Sequence, residues 1–224
     1  PSKVDIGPIN TMISSNYIDG MRLRASAQTT ANLNPHLFFK GYYAYGFKDH
    51  RSKGMAEVEY SFSKKEYLPR EFPKHSVTGT FMYDVMAPTD KFLKTDKDNV
   101  FTSFKTTTVD QMMYVRNVAL KYERETEYGF KTTLELKNTN DEPTGKLVYM
   151  RNDAAQTIVP DITTTEASLT LRYAPGETFI NTKQRRIPVS FDAPVFTLSH
   201  TAGFKGVLGG DYNYNLTELG IYKR

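Results

Sequence analysis

The eleven residues Leu37–Phe47 (LFFKGYYAYGF) limit the possible folds of this chain more than any other stretch. Leu37, Phe39, Gly41, Tyr43, Tyr45 and Phe47 are apolar or aromatic at every odd position, while Lys40, Tyr42 and Lys48 put polar atoms on the other parity. Successive side chains of a strand point to opposite faces, so this pattern predicts one apolar and one wetted face. The flanking segments repeat it. Met21, Leu23, Ala25 and Ala27 alternate with Arg22, Arg24, Ser26 and Gln28. Ala56, Val58, Tyr60 and Phe62 alternate with Glu57, Glu59, Ser61 and Ser63. Three consecutive long strands with charge on one face predict a sheet that separates water from something apolar.

A hydrophobic fraction of 39% and a mean hydropathy of −0.52 would ordinarily indicate a water-soluble domain. That inference fails for membrane barrels, where only alternate residues meet lipid and the average hides the pattern. No run of 18 apolar residues is present to make a transmembrane helix, and no basic-then-apolar start reads as a signal peptide. A net charge of +4 implies no strong field for polyanions, and nucleic acid is not expected as a partner. The 15 Tyr and 14 Phe suit strands and membrane interfaces, where a ring can sit in an apolar layer with its hydroxyl wet.

Taken in order, residues 1–16 show no period and read as an entry segment, and residues 17–224 as one β-rich region. Strands are expected at Met21–Thr30, through Leu37–Phe47, to about Ser63, and at Ser76–Val85. A long polar loop follows from Met86 to Asp110, then a hairpin around Glu127–Gly129, and a second long loop over Asn138–Asp161. Further strands are expected at Thr163–Tyr173, within Pro194–Lys205 and from about Tyr212 to Tyr222. About nine strands, near the ~9–11 residues that a tilted membrane strand requires, predict an all-β antiparallel transmembrane barrel fragment. Single-chain bacterial barrels normally close on an even number, so this count predicts a barrel that is incomplete at the C-terminus. A soluble two-layer sandwich alternates in the same way, and periodicity alone leaves it open.

Charge is confined to one parity. Arg22, Arg24, Lys40, Glu57, Glu59, Lys121, Glu123, Lys131, Glu135 and Arg172 form the expected lumen-facing polar set. Leu23, Phe39, Tyr43, Val58, Tyr60, Val118, Leu120, Leu169 and Leu171 form the expected lipid-facing set. A Lys or Arg at mid-depth on a lipid face costs about 2–4 kcal/mol, which is what such sorting avoids. The near-equal signs of the inward set favour a plugged, salt-bridged interior over an open pore.

Signals of catalysis are missing. The four histidines, His36, His50, His75 and His200, are scattered, none has HExxH spacing, and Cys is absent. His200 reads as a strand residue. There is no GxSxG elbow and no phosphate-binding fingerprint. Gly206–Gly210 lacks the Lys and following helix of a phosphate cradle; Gly209 and Gly210 read as a tight turn with positive φ. Asp96, Asp98 and Asn99 are spaced as in a calcium loop but lack its central Gly and terminal Glu, so they read as solvated. No catalytic residue, metal site or cofactor is expected.

LRYAPGE (171–177), RIPV (186–189), PVFTLSHTAGFKG (194–206) and LGGDYNYN (208–215) resemble a family of Gram-negative outer-membrane proteins. DGMRLRASAQTTANLN (19–34), GYYAYGFKDHRSKGMAEVEYSF (41–62) and YVRNVALKYERE (114–125) are similar to the same family. Its members carry a small carboxypeptidase-regulatory-like domain followed by a barrel region of unknown function. The resemblance implies a bacterial outer-membrane location, outer-membrane lipid and other envelope proteins as partners, and a non-enzymatic role in envelope transport or assembly. Alternatives are a nutrient channel or receptor barrel, an Omp85-like insertase barrel, and a soluble β-sandwich binding module.

Overall fold

A computed structural model describes residues 2–92, 109–152, 154–181, 186–189 and 194–223. Its strands are β1 (Val4–Ile6), β2 (Ile13–Asn16), β3 (Gly20–Thr29), β4 (Leu37–Gly46), β5 (Ser52–Ser61), β6 (His75–Met86), β7 (Gln111–Glu125) and β8 (Phe130–Gly145). They continue with β9 (Tyr149–Met150), β10 (Ile158–Val159), β11 (Ile162–Tyr173), β12 (Phe179–Asn181), β13 (Arg186–Pro188), β14 (Val195–Gly203) and β15 (Tyr214–Tyr222). No α-helix occurs among the described residues; only short 3₁₀ turns interrupt the connections.

Eleven strands form one antiparallel sheet in the order β1-β3-β4-β5-β6-β7-β8-β11-β14-β15, with β2 also paired to β3. The hairpins β9–β10 and β12–β13 are separate two-stranded sheets inserted in the connections on either side of β11. Nine strands are long, from 9 residues in β14 and β15 to 16 in β8, which agrees with the expected nine. Among the described residues the sheet does not close on itself: β15 pairs with β14 alone.

Several boundaries differ from the sequence reading. Residues 1–16 are not merely an entry segment, because β1 and β2 lie there and pair with β3. Short strands of three and four residues are too brief to display an alternation. β8 runs on through Asn138 to Gly145, so the second long connection begins later than expected. Asn138, Thr139, Asn140 and Asp141 read as loop residues, yet the register with β7 and β11 holds them in the sheet. In the β14–β15 turn Gly206 and Gly209 have φ of 80° and 82°, whereas Gly210 is at −57° and the third left-handed residue is Leu208. Asp96, Asp98 and Asn99 lie outside the described residues.

Local chemistry starts and ends the strands. Before β4 the Asn34 side-chain oxygen accepts from the backbone N–H groups of His36 and Leu37, a short-range turn that launches the strand. Gly129, with φ of 78°, makes the tight β7–β8 connection.

Register then sorts the side chains. Phe39, Val58, Gly79, Leu120 and Leu136 lie opposite one another along one row. The adjacent row on the other face runs Phe38, Glu59, Thr78, Lys121 and Glu135.

Candidate functional site

Polarity across this sheet is the reverse of that in a water-soluble core. Of the expected lipid-facing set, Leu23, Phe39, Tyr43, Val58, Tyr60, Val118, Leu120 and Leu169 are all exposed, and Leu171 is half-buried on the same face. Leu120, in mid-strand, keeps 51% of its surface open. On the opposite face Arg22 is fully buried, Arg24, Glu59 and Glu123 are buried, and Glu57, Lys121, Lys131, Glu135 and Arg172 are half-buried. Lys40 is exposed on that face, opposite Glu57.

The buried charges hold each other. Arg22 on β3 donates through Nη1 and Nη2 to the two carboxylate oxygens of Asp84 on β6, at 2.7 and 3.0 Å. Arg22 Nη1 also donates to Asp19 at 3.1 Å, and Tyr42 Oη donates to Asp84. Lys53 Nζ donates to Asp19 and, at 2.6 Å, to Asp49. The Arg24 guanidinium stacks 3.8 Å from the Tyr42 ring centroid. Buried charges are tolerated when they are paired and hydrogen-bonded in this way.

The Arg22–Asp84 pair also fixes the shape of the sheet. β4 and β5 lie between their strands, a separation of about 14 Å across a flat sheet at ~4.8 Å per step. Side chains standing upright on a flat sheet would not meet over that gap. The sheet is therefore curled with its charged face concave and its apolar face convex.

A second cluster lies farther along the concave face. Glu123 accepts from Lys131 at 2.8 Å and faces Lys121 at 3.3 Å and Lys74 at 3.7 Å, while Lys74 also binds Glu59. Towards the β15 edge Lys137 pairs with Glu166 at 2.7 Å, and Tyr214 Oη donates to the same carboxylate. Near the far end of β11, Arg172 makes a two-pronged bond to Glu177 at 2.6 and 2.7 Å.

One chain segment spans the concavity at the β5–β6 end. Residues 64–74 reach from β1, where Tyr67 Oη donates to Asp5, to β7, where Lys74 meets Glu123. The Glu71 carboxylate accepts the backbone N–H groups of Glu66, Tyr67 and Leu68, and Lys65 Nζ donates to the carbonyls of Glu71 and Pro73. Burial, reinforced by the like charge of Lys74, pulls the Lys65 ammonium below its ordinary value. At the other end of the sheet the β2–β3 turn, shaped by Asn16 Oδ1 accepting from the N–H groups of Ile18 and Asp19, packs Ile18 against buried Val85, Met112 and Tyr114, which lie on the outward parity of β6 and β7. There Met86, Met113 and Val115 are also buried, so β6 and β7 are covered on both faces.

Sequence reasoning placed the ten inward residues on one parity and missed their partners Asp19, Asp49, Lys53 and Lys74. Asp19, Asp49 and Lys74 lie in connections that carry no period, and Lys53 is the second residue of β5, ahead of the alternation expected from Ala56 onward. Asp84 shared the polar parity of its strand, which was the available signal. Each histidine touches an ordinary neighbour, such as His36 Nδ1 with the Ser61 carbonyl at 2.9 Å and His75 Nε2 with Tyr122 Oη at 3.2 Å. Among the described residues no group of His, Asp and Glu is arranged to hold a metal ion.

Residues 2–224 match the family described as "Family of unknown function (DUF5686) C-terminal domain". The chain belongs to that family. No curated protein and no solved structure matches it. The resemblance seen in the sequence thus narrows to the DUF5686 C-terminal domain, whose description names neither a carboxypeptidase-regulatory-like domain nor a cellular location. For this DUF5686 domain, the curled sheet and its buried charges carry the functional argument.

Proposed function

We propose that this DUF5686 domain is a non-enzymatic outer-membrane β-barrel region with a role in envelope transport or assembly. One observation carries the reading: large apolar side chains are exposed along the convex face while arginine, lysine, aspartate and glutamate are buried along the concave one. In water that arrangement leaves a broad apolar surface solvated and removes charges from solvent, both unfavourable. In a bilayer the same arrangement puts the apolar face in hydrocarbon and the charges around an aqueous interior. A carboxypeptidase-regulatory-like companion domain, outer-membrane lipid and other envelope proteins as partners belong to this proposal.

Residues 64–74 reach across the concavity from Asp5 on β1 to Glu123 on β7, which supports a plugged interior rather than an open nutrient pore. The test is reconstitution of the purified protein into phospholipid vesicles, with boiled and unboiled samples compared on a gel and conductance recorded across a planar bilayer. Expected are heat-dependent migration, extraction only with detergent and negligible conductance. Full solubility without detergent would refute the membrane reading, and steady large conductance would refute the plug.

A further inference from the structure

We infer that Arg116 and Arg124 on β7 are the contacts of this protein with lipid phosphate groups and mark the two edges of the hydrocarbon layer. This rests on the membrane reading above and adds to it a depth and a ligand chemistry.

Both arginines lie on the outward parity of β7, in register with Val118, Leu120 and Tyr122 between them. Both side chains are exposed, and neither guanidinium has an ion pair or hydrogen bond to another described residue. They contrast with Arg22 and Arg172, whose guanidiniums are held by carboxylates. A guanidinium left unpaired on an otherwise apolar face requires an anion or water beside it.

The neighbouring strands change character at the same two levels. The row through Arg116 is Tyr83, Arg116 and Asn140, and the row through Arg124 is His75, Arg124 and Thr132. Between them the rows on β6, β7 and β8 are Phe81, Val118 and Asn138, then Gly79, Leu120 and Leu136, then Val77, Tyr122 and Leu134. Beyond Arg116 both parities of β7 are buried by protein, so the strand has left any lipid there.

Aromatic rings gather at each level as well. On the Arg116 side Tyr83 stacks with Tyr114 at 5.9 Å, and Arg51 lies over Tyr114 and donates to Tyr83 Oη. On the Arg124 side Tyr60, Phe62, His75 and Tyr122 form an unbroken series of ring contacts across three strands, with centroid separations of 5.3, 4.5 and 5.8 Å. Rings with a polar tip collect where hydrocarbon meets headgroups. The lengths also agree. The step from Arg116 to Arg124 is roughly 27 Å of strand, about 20 Å in height once tilted, and the two side chains extend it towards the ~25 Å apolar band of outer-membrane barrels.

Because the chain contains no cysteine, single-cysteine variants can be labelled without background. Arg116→Cys, Val118→Cys, Leu120→Cys, Tyr122→Cys and Arg124→Cys would each carry an environment-sensitive dye in phosphatidylcholine vesicles containing chain-brominated lipid. Dyes at 118, 120 and 122 are expected to be quenched, and those at 116 and 124 to be spared. A second arm compares insertion of Arg116→Ala/Arg124→Ala with the parent in phosphatidylcholine and in phosphate-free galactolipid vesicles. The double variant should lose up to about fivefold in insertion per arginine in phospholipid alone, the upper range of an exposed ion pair, and Arg→Lys at both sites should recover most of it. An unquenched dye at 120 would remove the membrane reading itself. A quenched dye at 120 together with equally quenched dyes at 116 and 124, or a double variant indifferent to headgroup phosphate, would overturn this inference alone. Competition of insertion by inorganic phosphate would point to a free-anion site and also overturn the headgroup assignment.

Discussion

Arg22 and Asp84, on strands separated by two others, meet in a two-pronged ion pair from which both side chains have lost all solvent exposure. Asp84→Ala removes the carboxylate that faces both guanidinium nitrogens and the Tyr42 hydroxyl. Breaking one side of a buried pair costs about 3–5 kcal/mol, because the remaining charge stays out of water. Urea unfolding of the lipid-reconstituted protein should show that loss. The paired change Arg22→Leu/Asp84→Leu should cost less than Asp84→Ala alone.

Leu120 and Lys121 are neighbours on opposite faces, so they separate the two environments cleanly. Leu120→Arg puts a charge at mid-depth on the convex face and should destabilise the inserted protein by about 2–4 kcal/mol. Lys121→Leu leaves Glu123 with Lys131 and Lys74, and should cost under about 1 kcal/mol. Equal loss of folding yield in vesicles for both variants would contradict the assignment of faces.

Asp49, in the β4–β5 turn, gives an acid-side prediction. Burial pushes its carboxyl up, but hydrogen bonds from Lys53, Tyr114 and the Arg51 backbone outweigh burial and hold it below the ordinary value of 3.8. A carboxylate with a depressed folded value stabilises the fold above its unfolded value, and that contribution disappears as pH falls through the folded one. Stability should therefore decline below about pH 4. Asp49→Asn should lower stability at neutral pH and flatten that decline, as read from thermal midpoints across an acid series.

Gly203 and Tyr214 face each other across the β14–β15 pair, and a Cβ on Gly203 would fall 2.3 Å from the Tyr214 ring. The ring occupies the space of the missing side chain, and its hydroxyl reaches Glu166. Gly203→Ala should displace the ring and break that hydrogen bond, at a cost of about 1–3 kcal/mol. Tyr214→Phe removes the same bond, so the two changes should be less than additive in a double-mutant cycle. Full additivity would show that the ring and the carboxylate are not coupled.

How much of this was legible depends on the type of residue. Leu23, Phe39, Val58 and Leu120 were assigned to one face, and Arg22, Glu59 and Lys121 to the other, from alternation alone; the register places them so. Asp19, Asp49 and Lys74 were missed because a turn has no period and a carboxylate there resembles a solvated one. β1 and β2 were missed because three or four residues are too few to show alternation. The extension of β8 through Asn138–Gly145 was missed because polar residues with weak strand preference are held there by partners on both sides.

The sequence by itself determined the parity of the long strands and the absence of a usable helical period, because side-chain direction along a strand repeats every two residues regardless of what packs nearby. Which face is concave, which carboxylate meets which cation and how segments 64–74 cross the interior were decided only by tertiary structure. Those depend on curvature, which accumulates over many strands and brings together Arg22 and Asp84, 62 residues apart in the chain. No local pattern encodes that distance.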